Sequence, residues 1–458
     1  MLKKIDRRSF VRNLSMGAAA ATMLENPARL FASGNRKQVR MGIIGVGARG
    51  QFHVSELMRR GDVEIIAIAD PDPSSIAKAL ALTREKGIKD PVLFTKGDED
   101  FMNLLKRDDI DAVVIASPWE WHVPQSIEAM KVGKAVGVEV CGGINLQDSW
   151  DLVDSFEKTG TPIMILENVC YRRDIMAILN MVQKGRFGEI LHLQGGYQHD
   201  LRPQSFNTAA TCCDGVDFGP GAVGNAKWRT EHFVKRNGDL YPTHGFGPLA
   251  LMVDINRGNR LTTLSSIACK SRGLNRYIAH QPKGGPDHPN AKRRFALGDI
   301  VTTQMQTANG ETIVLTHDTT SPRPYNLGFR VQGTNGLWQD QHEGEPEQGR
   351  IYFEDKSPEH SWESPVAYLE EYDHPLWKTM GKDAEGSGHG GMDFFSEKAF
   401  VEGVRDKKPF PLDVYDLATW YAITPLSENS IAQGGAMVEV PDFTRGKWKE
   451  RVSFREIL

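Results

Sequence analysis

The stretch that most constrains the fold is residues 39–70, VRMGIIGVGARGQFHVSELMRRGDVEIIAIAD. Residues 41–44 make a short apolar run with the length and β-branched character of a buried parallel strand. Gly45, Gly47 and Gly50 follow at G-x-G-x-x-G spacing, then a helical segment, then a second apolar run over 63–69 that ends on Asp70. In such a strand–turn–helix the first glycine permits a tight turn and the second lets backbone approach a pyrophosphate. The third lets the helix pack close to the strand, and the helix N-terminus offers its free N–H groups to the phosphates. Asp70 lies 20 residues past Gly50, where a carboxylate accepts from a ribose 2′-OH and repels a 2′-phosphate. NAD(H) is therefore expected over NADP(H). A chain with 45 glycines produces this spacing by chance, so the weight rests on the strand, the helix and the distal acid agreeing.

Strands and helices continue to alternate, as a parallel sheet requires. A strand over 112–116 empties into Ser117-Pro118-Trp119-Glu120-Trp121-His122, read as a loop at the carboxyl edge where doubly wound sheets bind ligands. Helices are predicted up to about residue 87 and over 123–132 and 146–158, with strands over 135–140 and 162–166; the last delivers Glu167 and Asn168. From residue 187 the texture changes, and GEILHLQGGYQHD reads as a half-exposed strand with Tyr197 and His199 on one face by period two. Further strands are predicted over 261–268, 301–307, 312–317 and 328–333, and helices over 393–407 and 413–428. Segments 201–225 and 281–293 are loops long enough to be functional or mobile. The expected class is α/β, a Rossmann doubly wound parallel sheet followed by an α+β domain with a largely antiparallel sheet. The divisions are 1–33, a signal segment; 34–166, the dinucleotide-binding domain; and 167–458, the substrate domain, its C-terminal helices packing back on the first.

The N-terminus carries Arg7-Arg8-Ser9-Phe10-Val11, a mild apolar stretch over 16–24 and then Phe31-Ala32-Ser33-Gly34. This resembles a twin-arginine signal, a basic tail being the alternative. On the export reading the mature protein begins near Gly34, crosses the membrane folded with its cofactor, and lies in the periplasm. A net charge of −4 gives no support for nucleic-acid binding, and no apolar run reaches membrane-spanning length. Five cysteines, Cys141, Cys170, Cys212, Cys213 and Cys269, are too scattered for a disulfide framework and lack zinc-ligand spacing. Cys212 and Cys213 read as loop residues; one disulfide is compatible with an oxidising compartment, and the sequence does not choose it.

The glycine motif, the strand ending on Asp70 and the two-part layout resemble the oxidoreductases related to glucose–fructose oxidoreductase and inositol dehydrogenase. Many dehydrogenases of that group carry Glu-Lys-Pro at the end of the fifth strand, the lysine assisting proton transfer. Glu139-Val140-Cys141 stands there instead. Trp119-Glu120-Trp121-His122, Gly137-Val138-Glu139-Val140, Glu167-Asn168, Tyr197 with His199, and Tyr241-Pro242-Thr243-His244 carry a closer resemblance over nearly the whole chain. It is to glycoside hydrolase family 109, the NAD-dependent α-N-acetylgalactosaminidases. The resemblance implies NAD contacts from Ala48, Arg49, Asp70, Trp119 to His122, Glu139, Val140 and Asn168. It implies sugar contacts from Tyr197, Arg229, Tyr241, Pro242, Thr243, His244 and Tyr325.

The mechanism it implies lies outside the paired-carboxylate scheme. The sugar is oxidised at C3, loses its C2 proton, expels the aglycone, takes up water and is reduced again at C3. Such a cycle suits an exported enzyme, because it regenerates its one bound cofactor. Tyr197 is the candidate C2 base, His244 serves the C3 hydroxyl or helps orient the ring, and His199, Glu167 and Tyr325 support proton movement. The implied partner is a glycoside, and the chain is expected to form a homo-oligomer, a dimer in the simplest case. By residue type alone, His244 also suits a turn, Tyr197 and His199 an outer sheet face, and Trp119 and Trp121 core or lid packing. Asp393 to Phe395 and Trp420-Tyr421 read as helix-packing residues rather than site residues. His199, Asp200 and His244 lack metal-ligand spacing, so no metal is expected. The rival readings are a sugar oxidoreductase of the wider group and a non-catalytic sugar- or dinucleotide-binding protein.

Overall fold

A computed structural model describes residues 38–207, 215–341 and 349–457. The candidate signal segment and the Cys212-Cys213 pair lie outside the described residues; Cys141, Cys170 and Cys269 are free thiols. Among the described residues no helix is long and apolar enough to cross a membrane.

The first sheet is built from β1 (Val39–Ile44), β2 (Val63–Ala69), β3 (Val92–Phe94), β4 (Ala112–Ile115), β5 (Ala135–Val138) and β6 (Ile163–Ile165). Its order is β3-β2-β1-β4-β5-β6 and every pairing is parallel. Helices cover both faces, which is why β4, β5 and β6 are buried at every position. Each Val, Ile or Met removed from water there contributes about 1.5–3 kcal/mol. The strand order reverses between β1 and β4, and a crevice opens beyond their carboxyl ends.

Helix α1 (Ala48–Leu57) follows β1, α2 (Pro73–Glu85) follows β2 with Asp72 capping it, and α3 (Phe101–Leu105) precedes β4. Helix α4 covers Trp119–Lys131 rather than starting at residue 123. The loop reading of Trp119 to His122 is thus corrected: these residues are the first turn of the helix. Pro124 suggests a helix start in the sequence because proline suits the first helical position. The start is set instead by Pro118 at the N-cap, and Pro124 sits inside the helix. Helix α5 (Leu146–Thr159) opens with a capping box of Asn145 and Asp148 and ends on left-handed Gly160.

Beyond α6 (Arg173–Gln183) the second sheet has eight strands: β7 (Ile190–Gln198), β8 (Leu261–Ala268), β9 (Val301–Thr307), β10 (Thr312–Asp318), β11 (Arg330–Gly333), β12 (Gly336–Gln339), β13 (Arg350–Phe353) and β14 (Val438–Glu439). The order is β13-β12-β11-β7-β10-β9-β8-β14, antiparallel throughout except for the central parallel pair β7–β10. Strands β3, β12, β13 and β14 have two to four residues, too short for an alternation signal in the sequence.

One face of this sheet receives α8 (Thr243–Met252), preceded in the chain by α7 (Arg229–Lys235). Backbone meets backbone there. A Cβ at Gly195 would stand 2.7 Å from the Gly245 carbonyl oxygen, and one at Gly245 would collide with the Gly196 amide. Helix α9 (Met392–Asp406) reaches back to α1, and α10 (Val414–Ala432) to α5, where Ser149 Oγ donates to the Ala418 carbonyl at 2.9 Å.

Candidate active site

A cleft of about 680 Å³ runs from the carboxyl edge of the first sheet to the end of β7. Its first half is a dinucleotide cradle. Gly45 has φ +85°, and a Cβ there would stand 2.6 Å from the Ser117 amide. A Cβ at Gly50 would collide with the Gly45 carbonyl oxygen, so both glycines are required by the turn itself. Gly47 differs: it lines the cleft with open space above it, and as N-cap of α1 it supplies no side-chain hydrogen bond. The helix N-terminus keeps its N–H groups for an anion. Asp70 accepts from the Val46 and Asp72 amides at 2.8 Å each, which fixes its carboxylate at the cleft edge; burial raises its pKa. These observations fit a bound dinucleotide.

The residues implied for NAD contact line the same cleft, with Ala48, Arg49 and Asp70 at one end and Glu139, Val140 and Asn168 at the floor. Trp119 to His122 form the wall between. His122 is not free to turn: Nε2 lies 2.7 Å from the Ser117 carbonyl and Nδ1 3.3 Å from the Tyr421 hydroxyl, which itself donates to the Glu139 carbonyl. Burial lowers its pKa.

Beneath the floor lies a buried ionic network. Arg49 donates to Glu139 Oε1 at 2.6 Å and to both oxygens of Asp393 at 3.0 and 2.9 Å. Asp393 also accepts from Asn168 Nδ2 at 2.8 Å and lies 2.7 Å from His389 Nδ1. His53 joins Glu139, at 2.8 Å, to Glu397 of α9. Asp393 and Tyr421 are thereby corrected from helix packing to support of the site, and His53, His389 and Glu397 are additions that sequence reasoning missed. No local signal marks them, because Arg49 and Asp393 are 344 residues apart.

Burial opposes ionisation of Glu139 and Asp393, yet Arg49 with His53 on the one, and His389 with Arg49 on the other, hold both carboxyls well below the usual range. For His53, burial and Arg49 pull downward, but the Glu397 and Glu139 carboxylates lift the imidazole from 6.5 to about 9. A pKa raised by folding contributes stability fully below 6.5, and that contribution is lost as pH rises through about 9. Thermal unfolding is expected to move to lower temperature across that interval, and His53→Gln is expected to flatten the slope. Identical slopes for the two proteins would count against the network.

The other half of the cleft is aromatic. Tyr197 stacks on Tyr241 at 4.2 Å, and His244 meets both rings edge-on at 5.3 and 4.9 Å. The Tyr197 hydroxyl lies 3.3 Å from His199 Nδ1, just past the end of β7, and the Tyr325 ring lies 4.8 Å from that of His199. His244 Nδ1 lies 2.7 Å from Glu167 Oε1; donation there leaves the lone pair on Nε2. Pro242 caps α8 and Thr243 opens it, its hydroxyl 3.8 Å from Cys141 Sγ. Arg229 packs over Trp119 at 4.8 Å and Tyr241 at 4.9 Å. Tyr197, Arg229, Tyr241 and His244 line the cleft, while Glu167, His199 and Tyr325 stand behind that wall.

Arg229 Nε and Nη2 and Glu167 Oε2 are buried with no hydrogen-bond partner among the described residues. Buried polar groups of this kind are satisfied by water or ligand. Burial raises the pKa of Tyr197, opposed by Arg229; burial and then Arg229 lower that of His199, so the pair is a neutral phenol beside a neutral imidazole. His317, missed in the sequence, pairs with Tyr197 across the β7–β10 register and is wholly buried. Burial and Arg229 bring its pKa to about 3. At Val140-Cys141, where the dehydrogenase lysine is expected, burial pushes the thiol pKa up.

Residues 39–166 match the family model described as an oxidoreductase family, NAD-binding Rossmann fold, and residues 171–450 match the C-terminal domain of glycosyl hydrolase 109. A glycosyl hydrolase family 109 protein of Stenotrophomonas maltophilia is 49% identical over 451 residues, 97% of each chain. An alpha-N-acetylgalactosaminidase of Tannerella forsythia is 47% identical over 418 residues, 90% of this chain and 88% of that one. Among solved structures, a levoglucosan dehydrogenase in complex with NADH superposes with a TM-score of 0.63 at 19% identity, covering 88% of this chain and 100% of that one, a likeness of fold. NAD is the cofactor of the first sheet, and by its sequence over both parts the chain belongs to glycoside hydrolase family 109.

Proposed function

We propose that the protein is an NAD-dependent glycosidase that hydrolyses terminal α-linked N-acetylgalactosamine by oxidation, elimination, addition and reduction. The observation that carries this reading is the placement of Tyr197 and His244, backed by His199 and Glu167 respectively, on the cleft that holds the dinucleotide cradle. Glu139 is committed to Arg49 and His53, and Oε1 of Glu167 to His244 and the Val169 amide.

Bound NAD supplies the hydride acceptor, and later the donor, for the sugar C3. Once C3 is at the carbonyl level, Tyr197 takes the C2 proton as its own hydroxyl proton passes to His199 Nδ1, and the same relay run backwards reprotonates C2. His244, oriented through Nδ1 by Glu167, takes the C3 hydroxyl proton at Nε2 and returns it. Arg229 and Tyr241 hold the sugar, and Tyr325 steadies His199. The test is a panel of nitrophenyl glycosides incubated in D₂O. Release of nitrophenol with deuterium at C2 of the freed sugar is expected. Cleavage without deuterium would sink the cycle, and accumulation of NADH without cleavage would favour the sugar oxidoreductase reading.

In this reading residues 1–33 are a twin-arginine export signal, residues 34–166 and 167–458 are the cofactor and substrate domains, and the enzyme works in the periplasm. Support comes from the paired arginines and from a cycle that needs no free cofactor pool. Replacing Arg7 and Arg8 together by lysine is expected to leave the protein in the cytoplasm, measured by fractionation; unchanged export would refute the assignment. The exposed face of the second sheet, where Ile267 is 66% accessible, is the surface through which the chain forms a homodimer.

A further inference from the structure

Three strands of the second sheet set Tyr197, His317 and Val301 in one row. Tyr197 lies opposite His317 in the parallel pair β7–β10, and His317 lies opposite Val301 in the antiparallel pair β10–β9. Residues paired in this way share a face of the sheet, the face on which Tyr197 meets the cleft. Helix α7 lies over that row. Its Phe233 packs in one apolar cluster with Val301 and Trp119, and its Arg229 lays the guanidinium over Trp119 and Tyr241. His317 is thus beside Tyr197 and under α7, and it is not itself on the cleft wall.

A leucine would fill this place with no polar atom to satisfy. The His317 imidazole is wholly buried, and neither Nδ1 nor Nε2 has a hydrogen-bond partner among the described residues. Arg229 Nε and Nη2 are in the same condition, as is Thr319 Oγ1, two residues beyond His317. Burying such groups is unfavourable unless they are paired. Their chemistry restricts what can pair them. A guanidinium only donates, whereas a neutral imidazole donates from one nitrogen and accepts at the other. Burial, and next the Arg229 cation, keep this imidazole neutral, with a pKa of about 3. The matching group must accept from Arg229 and donate to His317. Water does both; a carbonyl or an anion accepts only.

We propose that His317 and Arg229 hold an internal water between them, and that His317 is a positioning residue that fixes the Arg229 guanidinium through it. The consequence falls on the proton relay. Arg229 opposes the burial-driven rise of the Tyr197 pKa, both as a charge and as a hydrogen-bond donor. After burial, it is also the main influence that holds the His199 pKa down. His199 must be neutral to receive the Tyr197 proton, so a guanidinium kept in place keeps the relay open toward acid pH. The other charged or titratable groups acting on His199 are Asp200, which raises its pKa, and His244, which lowers it. Changes at His317 leave both in place. The inference rests on the proposed glycosidase cycle, and the test separates the two.

The measurement is the pH profile of kcat for the NAD-loaded enzyme and two variants. His317→Gln keeps a donor and an acceptor, and His317→Leu keeps the bulk without either. In the leucine enzyme kcat at neutral pH is expected to fall about tenfold, the factor that one hydrogen bond to a charged group supplies. Its acid limb is expected to move up by about one pH unit, because His199 escapes the guanidinium. Glutamine is expected to restore both. A packing role alone would lower kcat or NAD content without displacing the limb. An unmoved limb in the leucine enzyme, or a limb displaced equally in both variants, would overturn the positioning role. A crystal structure of the parent holoenzyme tests the water itself and needs no variant. An ordered water within about 3.2 Å of a His317 nitrogen and of the Arg229 guanidinium is expected. Direct contact between the two side chains, or no water between them, would refute the site. Parent enzyme that cleaves no glycoside would instead overturn the cycle.

Discussion

Tyr197→Phe is expected to lower kcat for glycoside cleavage by about 10²–10⁴-fold, the usual contribution of a positioned acid–base group, while NAD content stays at the parent level. The separation follows from the fold. Tyr197 is the penultimate residue of β7 in the second sheet, and its hydroxyl contacts His199, whereas the dinucleotide cradle is built on β1, β2 and α1. Phenylalanine keeps the stacking on Tyr241 and the edge contact with His244, so the wall of the cleft stays in place. Loss of deuterium incorporation at C2 should run parallel to the loss of rate. A phenylalanine enzyme with full activity would remove Tyr197 as the C2 base.

The second large effect is on stability. Asp393→Ala should destabilise the protein by about 3–5 kcal/mol, the range for removing one partner of a buried ion pair, read as a fall in C_m at constant m. The carboxylate is 3% accessible and serves Arg49, Asn168 and His389 together, so its removal strands a guanidinium that is also bound to Glu139. Asp393→Asn keeps an acceptor for Arg49 and should cost less. If alanine and asparagine unfold at the parent C_m, the network is ornamental and Arg49 is solvated instead.

How much of this was legible depended on whether a feature was local in the chain. The glycine turn, β1, β2 and Asp70 lie within 32 residues, and each element reports its own period, so the cradle could be read directly. Strand β9 was legible to the residue because it alternates over seven positions, and β8 because its eight residues are rich in Thr, Leu and Ile. The start of α4 was misplaced because two prolines, Pro118 and Pro124, compete for the role of first-turn residue. Tyr197, His199 and His244 were named by likeness to a family; period two gave the first two a common face, but no sequence rule says that α8 docks on β7. Asp393 and His389 were invisible for the same reason, being tied to α1 only by the fold.

The contact of Gly195 and Gly196 with Gly245 has a consequence for how relatives of this protein can diverge. Because the two main chains touch there, Tyr197 and His244 ride on a joint with no slack, and any side chain inserted into it would pry them apart. Adaptation to another sugar or aglycone is therefore confined to the facing bank of the cleft, where Pro220, Asn225, Lys227 and Trp228 sit on irregular backbone and a short turn. Homologues that differ in preference should vary along that bank and keep the glycine joint untouched.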